Sequence, residues 1–199
     1  MRRITILEHV SLDGIIQAPG GPDEDRDGGF AHGGWAAPHD DPVGGEVIGA
    51  AHGDRFDLLI GRRTYDIWAG YWPHSEGPMA DQINGATKYV ATHRPESLAW
   101  GPAEALGPDL AAGIRRIRDT KGPALIVWGS SSLTSLLISQ QLADEVILMI
   151  FPVLIGTGKR LFGGGEAPAE LKLIRSRTGE SGVIVNTYTP AGPMRTGSY

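Results

Sequence analysis

The sequence predicts one α/β domain, with a mostly parallel central sheet, flanking helices and a closing antiparallel hairpin. Three observations carry this expectation. Apolar runs of strand length, RITILEHV (Arg3–Val10), DLLIG (Asp57–Gly61), KYVAT (Lys88–Thr92), ALIVW (Ala124–Trp128) and EVILMIFPV (Glu145–Val153), alternate with segments of helix length, as βαβ units do. Two further runs, Leu171–Arg177 and Val183–Thr189, meet near Gly179 and Gly182 and read as a hairpin, which makes the sheet mixed. The chain has 199 residues, no internal repeat and no linker between two cores, so one domain is expected.

Each element has its own local reason. Ser11-Leu12-Asp13-Gly14 ends the first strand with turn chemistry. Gln17–Gly45 is rich in Gly, Pro and Asp and reads as a long loop; such loops are usually functional. Phe30 and Trp35 are its candidate anchors. Glu46–Phe56 reads as a short helix, and Thr64–Gly70 as the start of another. Asp109–Thr120 is amphipathic: Leu110, Ile114 and Ile117 share a face that Arg115, Arg116 and Arg118 avoid, and Asp109 can cap it. A helix carrying Leu133, Leu136, Leu137 and Ile138 follows Gly129 and three serines. The domain is read as residues 1–190, and 191–199 as a Gly-, Pro- and Ser-rich tail that frays.

Composition excludes several classes. Eighteen basic and 23 acidic side chains give a net charge of −5, which disfavours nucleic-acid binding. With no cysteine, disulfides, thiol catalysis and thiolate metal sites are excluded. No apolar stretch is long enough for a bilayer, and Met-Arg-Arg before Ile4–Val10 does not read as a signal peptide, so a cytoplasmic protein is expected. His32, His39 and His52 lie near Asp40, Asp41 and Asp54 without a metal-ligand spacing; surface histidines and no metal are expected. There is no G-x-S-x-G elbow for a serine hydrolase.

Phosphate-compatible groups follow three strands. Gly129-Ser130-Ser131-Ser132 joins a strand to a helix, where free N–H groups and the helix dipole favour an anion; an ordinary capped turn would look the same. Gly61-Arg62-Arg63-Thr64 places two guanidinium groups after a second strand, either as phosphate ligands or as solvated surface. Thr92-His93-Arg94 follows a third. Ligands of open α/β sheets bind outside the carboxyl ends of the strands, so three such ends point to a phosphorylated cofactor. Trp68, Tyr71 and Trp72 either line a flat substrate pocket or pack beneath the loop.

These segments together resemble the dihydrofolate reductase superfamily, in the branch related to the reductase domain of riboflavin-biosynthesis deaminase–reductases. The resemblance rests on SLDG (11–14), LLIGRRTYD (58–66), YWP (71–73), KYVAT (88–92), IVWGSSSL (126–133) and DEVILMIFPVLIGTGKRLF (144–162), in family order over most of the chain. It implies NADPH bound across strand ends. By that resemblance Gly61, Arg62, Arg63 and Thr64 grip the cofactor phosphates. Thr92, His93 and Arg94 take the 2′-phosphate region, and Gly129, Ser130, Ser131 and Ser132 meet the pyrophosphate. Ile16 and Gln17 lie near the nicotinamide. The chain departs from the pattern at the substrate. Ile147–Phe151 lacks the threonine of dihydrofolate reductases, Ile15 replaces a basic residue, and Trp128 replaces a substrate-holding glutamate.

The expected activity is therefore NADPH-dependent hydride transfer to a small heterocyclic or conjugated substrate. Trp35, Trp68, Tyr71, Trp72 and Trp128 are the candidate substrate residues. Asp13 and Glu46 are the candidate general acids, beside a bound water. Two alternatives stand: reduction of 5-amino-6-(5-phosphoribosylamino)uracil, and a nucleotide-binding protein without chemistry. The apolar C-terminal strands and the resemblance both favour a homodimer.

Overall fold

The computed structural model of the chain describes residues 1–163 and 168–198. Strand β1 (Ile4–Ser11) lies at the centre of an eight-stranded sheet of order β4-β3-β2-β5-β1-β6-β8-β7. β2 (Phe56–Gly61), β3 (Lys88–Ala91), β4 (Ala103–Ala105), β5 (Ala124–Val127) and β6 (Glu145–Phe151) run parallel to it. β7 (Ala169–Thr178) and β8 (Ile184–Pro193) form the antiparallel hairpin, and β8 pairs with β6. Gly179 and Gly182 close the hairpin through N–H bonds to the Val183 and Gly179 carbonyls.

Among the described residues, five α-helices cover the two faces. α1 (Pro42–His52), α2 (Arg62–Ala69) and α3 (Pro78–Gly85) precede β3. α4 (Leu110–Arg118) and α5 (Ser131–Ser139) flank β5. Side chains alternate across a strand, so β1 feeds two cores. Leu7 packs with Leu58, Ile60, Ile126 and Met149, beneath α1 and the long loop. Ile4 and Ile6 pack with Leu125, Val127, Ile114 and Leu137, beneath α4 and α5. No described helix is long and apolar enough to cross a membrane.

Several boundaries move. The helix expected over Glu46–Phe56 begins at Pro42 and ends at His52, and Phe56 opens β2. Asp41 caps it by accepting the Val43 N–H at 2.9 Å, and Pro42 suits the first position. The long loop therefore ends at Asp41 and holds short 3-10 turns at Asp27–Gly29 and Ala37–His39. α3 and β4 were not expected: α3 buries only Ala80 and Ile83, and three residues of β4 show no period. β8 runs through Pro190 to Pro193, and Arg195 pairs with Glu170 at 2.8 Å, three and five residues beyond the expected domain limit. His52 is buried rather than on the surface, because the last turn of α1 drops it onto Phe56, with ring centroids 4.0 Å apart.

The amino end of the sheet is tied shut. Arg2 is buried, pairs with Asp57 and donates to the Pro123 carbonyl at 2.7 Å. The carboxyl end is where loops, exposed arginines and aromatic rings gather.

Candidate functional site

The turns after β2 and β5 are bonded to each other. Ser130 Oγ accepts the Gly61 N–H at 2.8 Å and donates to the Trp128 carbonyl at 3.0 Å. Thr64 Oγ1 donates to the Gly129 carbonyl at 3.0 Å. A Cβ on either glycine would crowd this approach: one on Gly61 would lie 3.1 Å from Ser130 Oγ, and one on Gly129 3.2 Å from Thr64 Oγ1. Gly129 also has φ +60°, a conformation that costs other residues energy. α1 and α4 are capped by Asp41 and Asp109, but α2 and α5 carry no side-chain cap. Their first-turn N–H groups have no intrahelical partner. Two positive helix ends thus meet at one place.

The arginines divide in function. Arg62 turns inward: Nε donates to both Asp66 oxygens at 2.8 and 2.9 Å, and Nη1 reaches Thr92 Oγ1, the Arg94 carbonyl and Ser97 Oγ at 3.3, 3.1 and 2.7 Å. It fastens the turn after β3 to α2. Arg94 is 63% exposed and touches Asp66 only at 3.7 Å; His93 is exposed. Arg63 is half exposed and is engaged by the long loop, to Asp25 at 3.3 Å and Asp27 at 3.1 Å. Lys159 meets the same two carboxylates at 2.7 and 3.0 Å.

Ile16 and Gln17 are both buried. Gln17 is a hub: Nε2 donates to the Asp25 and Asp27 carbonyls at 3.1 and 3.0 Å, and Oε1 accepts the Lys159 N–H at 3.0 Å. Its own carbonyl accepts Trp35 Nε1–H at 2.7 Å. Ile16 packs with Val10 and Leu161.

The aromatic residues form a chain of ring contacts. Trp35 meets Phe151 edge-on at 5.4 Å, Phe151 meets His9 at 5.3 Å, and His9 meets Trp128 at 5.4 Å. Trp128 continues to Trp68 at 6.4 Å, Trp68 to Trp72 at 5.8 Å and Trp72 to Tyr71 at 5.1 Å. All five aromatic candidates therefore belong to one wall, with Tyr71 at its exposed end. Cation–π contacts go to other rings, Tyr89, Tyr65 and Trp100.

The two carboxylates proposed as acids do not join this wall. Asp13 accepts Ser11 Oγ–H at 2.6 Å and the Ile155 and Gly156 N–H groups at 3.1 and 2.7 Å. Those bonds pull it down to about 2, so it holds no proton near neutral pH. Glu46 is exposed and pairs with Arg177 at 2.7 Å, toward the hairpin.

Three titratable groups at the site were missed. His9 stands between Trp128 and Phe151 on the central strand and has no hydrogen-bond partner among the described residues. Burial pushes it down to about 4, against the opposing pull of Asp40. His52 Nε2 accepts Trp128 Nε1–H at 3.4 Å, and burial lowers it to about 4. Glu8, 2% exposed, accepts the Gly129 and Ser130 N–H groups at 2.9 and 3.3 Å, and burial raises it to about 8. The signal was a Glu-His pair inside an otherwise apolar strand, ILEHV. Among the described residues no cluster could hold a metal.

A family model for the RibD C-terminal domain matches residues 2–185. The chain belongs to the RibD C-terminal domain family. The resemblance thus holds for the RibD-type family, and the fold is one shared with a dihydrofolate reductase. Among curated proteins, uncharacterized protein YyaP of Bacillus subtilis is 26% identical over 193 residues, 94% of either chain. A Shewanella sp. PV-4 protein described as belonging to riboflavin biosynthesis superposes with a TM-score of 0.68 at 22% identity, over 96% of this chain and 99% of that one. A pyrimidine reductase-like protein of Corynebacterium diphtheriae gives 0.59 at 12%, covering 98% and 93%. Dihydrofolate reductase of Enterococcus faecalis, complexed with NADP(H) and RAB-propyl, gives 0.60 at 13%, covering 95% and 96%. These neighbours share the fold, and in this RibD-type domain the bonded turns and the aromatic wall lie at the carboxyl end of its sheet.

Proposed function

We propose that this RibD-type domain is an NADPH-dependent reductase of small heterocyclic or conjugated substrates. The observation that carries the reading is the bonded pair of turns, Gly61–Thr64 and Gly129–Ser132, with two uncapped helix ends and exposed guanidinium groups beside them. Converging helix N-termini and arginines suit phosphates, and the two glycines leave the cradle open where a Cβ would crowd it. Arg63, Ser131 and Ser132 would hold the pyrophosphate, in a cradle whose shape Gly61, Thr64, Gly129 and Ser130 set through their bonds to one another and to Glu8. Thr92, His93 and Arg94 would take the 2′-phosphate, with Arg62 holding their turn in place. Ile16 and Gln17 would border the nicotinamide through their backbone.

NADPH, when bound, supplies a hydride from nicotinamide C4. The chain binds, orients and dries the site. Trp35, Trp68, Tyr71, Trp72 and Trp128 would stack a planar acceptor. His9 takes the place first given to Asp13 and Glu46: its neutral imidazole offers one N–H donor and one ring-nitrogen acceptor in the wall. Family membership favours a second reading, reduction of 5-amino-6-(5-phosphoribosylamino)uracil. The ring wall, with Trp128 in place of a carboxylate, argues against a ribosyl phosphate there. A homodimer is proposed through β7, whose edge exposes Leu173 and Ile174, and a cytoplasmic location with it.

Fluorescence titration with NADPH and NADH tests the cofactor. A charge-assisted phosphate contact contributes roughly 1.5–3 kcal/mol, or about tenfold to a hundredfold in affinity, so NADPH should bind tighter by that factor. Equal dissociation constants would overturn the reading. Pterins, pyrimidines and quinones are then offered as acceptors and NADPH oxidation is followed.

A further inference from the structure

Glu8 stands on the β1 face shared with Ile4 and Ile6, beneath the start of α5. Its carboxyl is buried, and no ion pair reaches it among the described residues. Its hydrogen bonds come from the Gly129 and Ser130 amides, in the turn assigned above to the cofactor pyrophosphate. Those two amides are therefore held from behind by a carboxyl group. The next amides, of Ser131, Ser132 and Leu133, have no intrahelical partner and remain for a ligand.

A carboxylate and a phosphate ask the same thing of a helix end: N–H donors and positive potential. When both crowd one turn, two anions share one set of dipoles, and the buried one is cheaper to neutralise. Among the described residues no cation compensates it. Leu148 of β6 is its register partner, Gly129 and Ser130 face it from the β5–α5 turn, and His9 sits on the opposite face of the strand. None of these supplies a cation.

Resting on the cofactor reading above, we propose that Glu8 is a positioning residue of the dinucleotide site, holding the Gly129–Ser130 turn and taking up a proton when the cofactor phosphate docks. Burial already brings the free carboxyl to about 8, so at pH 8 it is about half ionised. A neighbouring anion favours the neutral acid further. Binding at pH 8 then takes up about half a proton per NADPH, and affinity falls about tenfold between pH 7 and pH 9 as the ionised form accumulates.

Calorimetric titration of the full chain with NADPH at pH 8, in buffers of different ionisation enthalpy, reads this directly. The expected result is uptake of about half a proton in the wild type and none in Glu8→Gln, whose affinity should be flat from pH 7 to 9. Difference infrared spectra of the wild type, with and without NADPH, should gain a protonated-carboxyl band that shifts on 13C-glutamate labelling; this measurement does not depend on the variant's folding. NADPH binding with no uptake, or uptake that persists in Glu8→Gln, overturns the role of Glu8 and leaves the cofactor reading intact. No NADPH binding at all overturns both.

Discussion

The Gly61 N–H donates to Ser130 Oγ at 2.8 Å, across 69 residues of sequence. This bond makes one cradle of two turns. Ser130 is buried, so Ser130→Ala leaves the Gly61 donor without a partner. The expected cost is about 1–3 kcal/mol in urea unfolding, together with weaker NADPH binding. Unchanged stability and affinity would show that the two turns act independently.

Arg62 and Arg94 should separate cleanly. Arg94→Ala removes an exposed guanidinium, so the preference for NADPH over NADH should shrink about tenfold or more while the melting temperature stays put. Arg62→Ala breaks the ties to Asp66, Thr92, Arg94 and Ser97, so it should lower the melting temperature as well as cofactor affinity. Binding titrations and thermal melts of both variants make the comparison.

Trp35 fixes the long loop over the aromatic wall through Gln17 and Phe151. Trp35→Ala should cost roughly 3–5 kcal/mol of stability. Measured where it is still folded, it should also lower turnover or raise KM for the acceptor, with little change in NADPH affinity. Normal turnover at low temperature would leave Trp35 as a loop staple only.

His52 makes stability pH-dependent in a known direction. Its folded value is about 4, below the ordinary 6.5, so the unfolded chain binds the extra proton first. Its contribution is complete above about pH 6.5 and is lost as pH falls toward 4. His9, lowered similarly, adds to the same slope. His52→Gln should flatten the decline in melting temperature between pH 7 and pH 5; an unchanged slope would mean that His52 titrates as freely as in water.

β7 is a ten-residue edge strand carrying Leu173 and Ile174 in solvent, which edges normally avoid. Light scattering at micromolar concentration should give twice the chain mass, and Ile174→Lys should reduce it to one. A monomeric wild type would refute the dimer.

Strand and helix order was legible because each central strand is apolar on both faces, as a covered parallel sheet demands. α4 announced itself through Asp109 and the Ile114–Ile117 stripe. α1 was legible with its bounds displaced, because Gly44, Gly45 and Gly49 hide the helical period of its first half, and only the Asp41-Pro42 start marks where it begins. The Gly61–Thr64 and Gly129–Ser132 turns were legible as local motifs. The partners of Asp13, Glu46, Glu8 and His9 were not, since Glu8 meets Gly129 across 121 residues and Asp13 meets Gly156 across 143. A carboxylate's role depends on such partners, and spacing along the chain does not encode them.

Asp25 and Asp27 lie against Arg63 and Lys159, so the free protein already supplies counter-ions at its basic corner. Under the proposed cofactor reading, arrival of a phosphate at Arg63 would be an exchange of one anion for another. Added salt weakens the departing pair and the incoming one together, so much of the ionic-strength dependence cancels. Such a corner would discriminate by shape and by the number of donors it can turn toward phosphate, and would resist casual occupation by chloride or sulfate. On the same reading, phosphate arrival would release the 25–27 segment, so the long loop that carries Trp35 would be informed at one end of what has docked at the other.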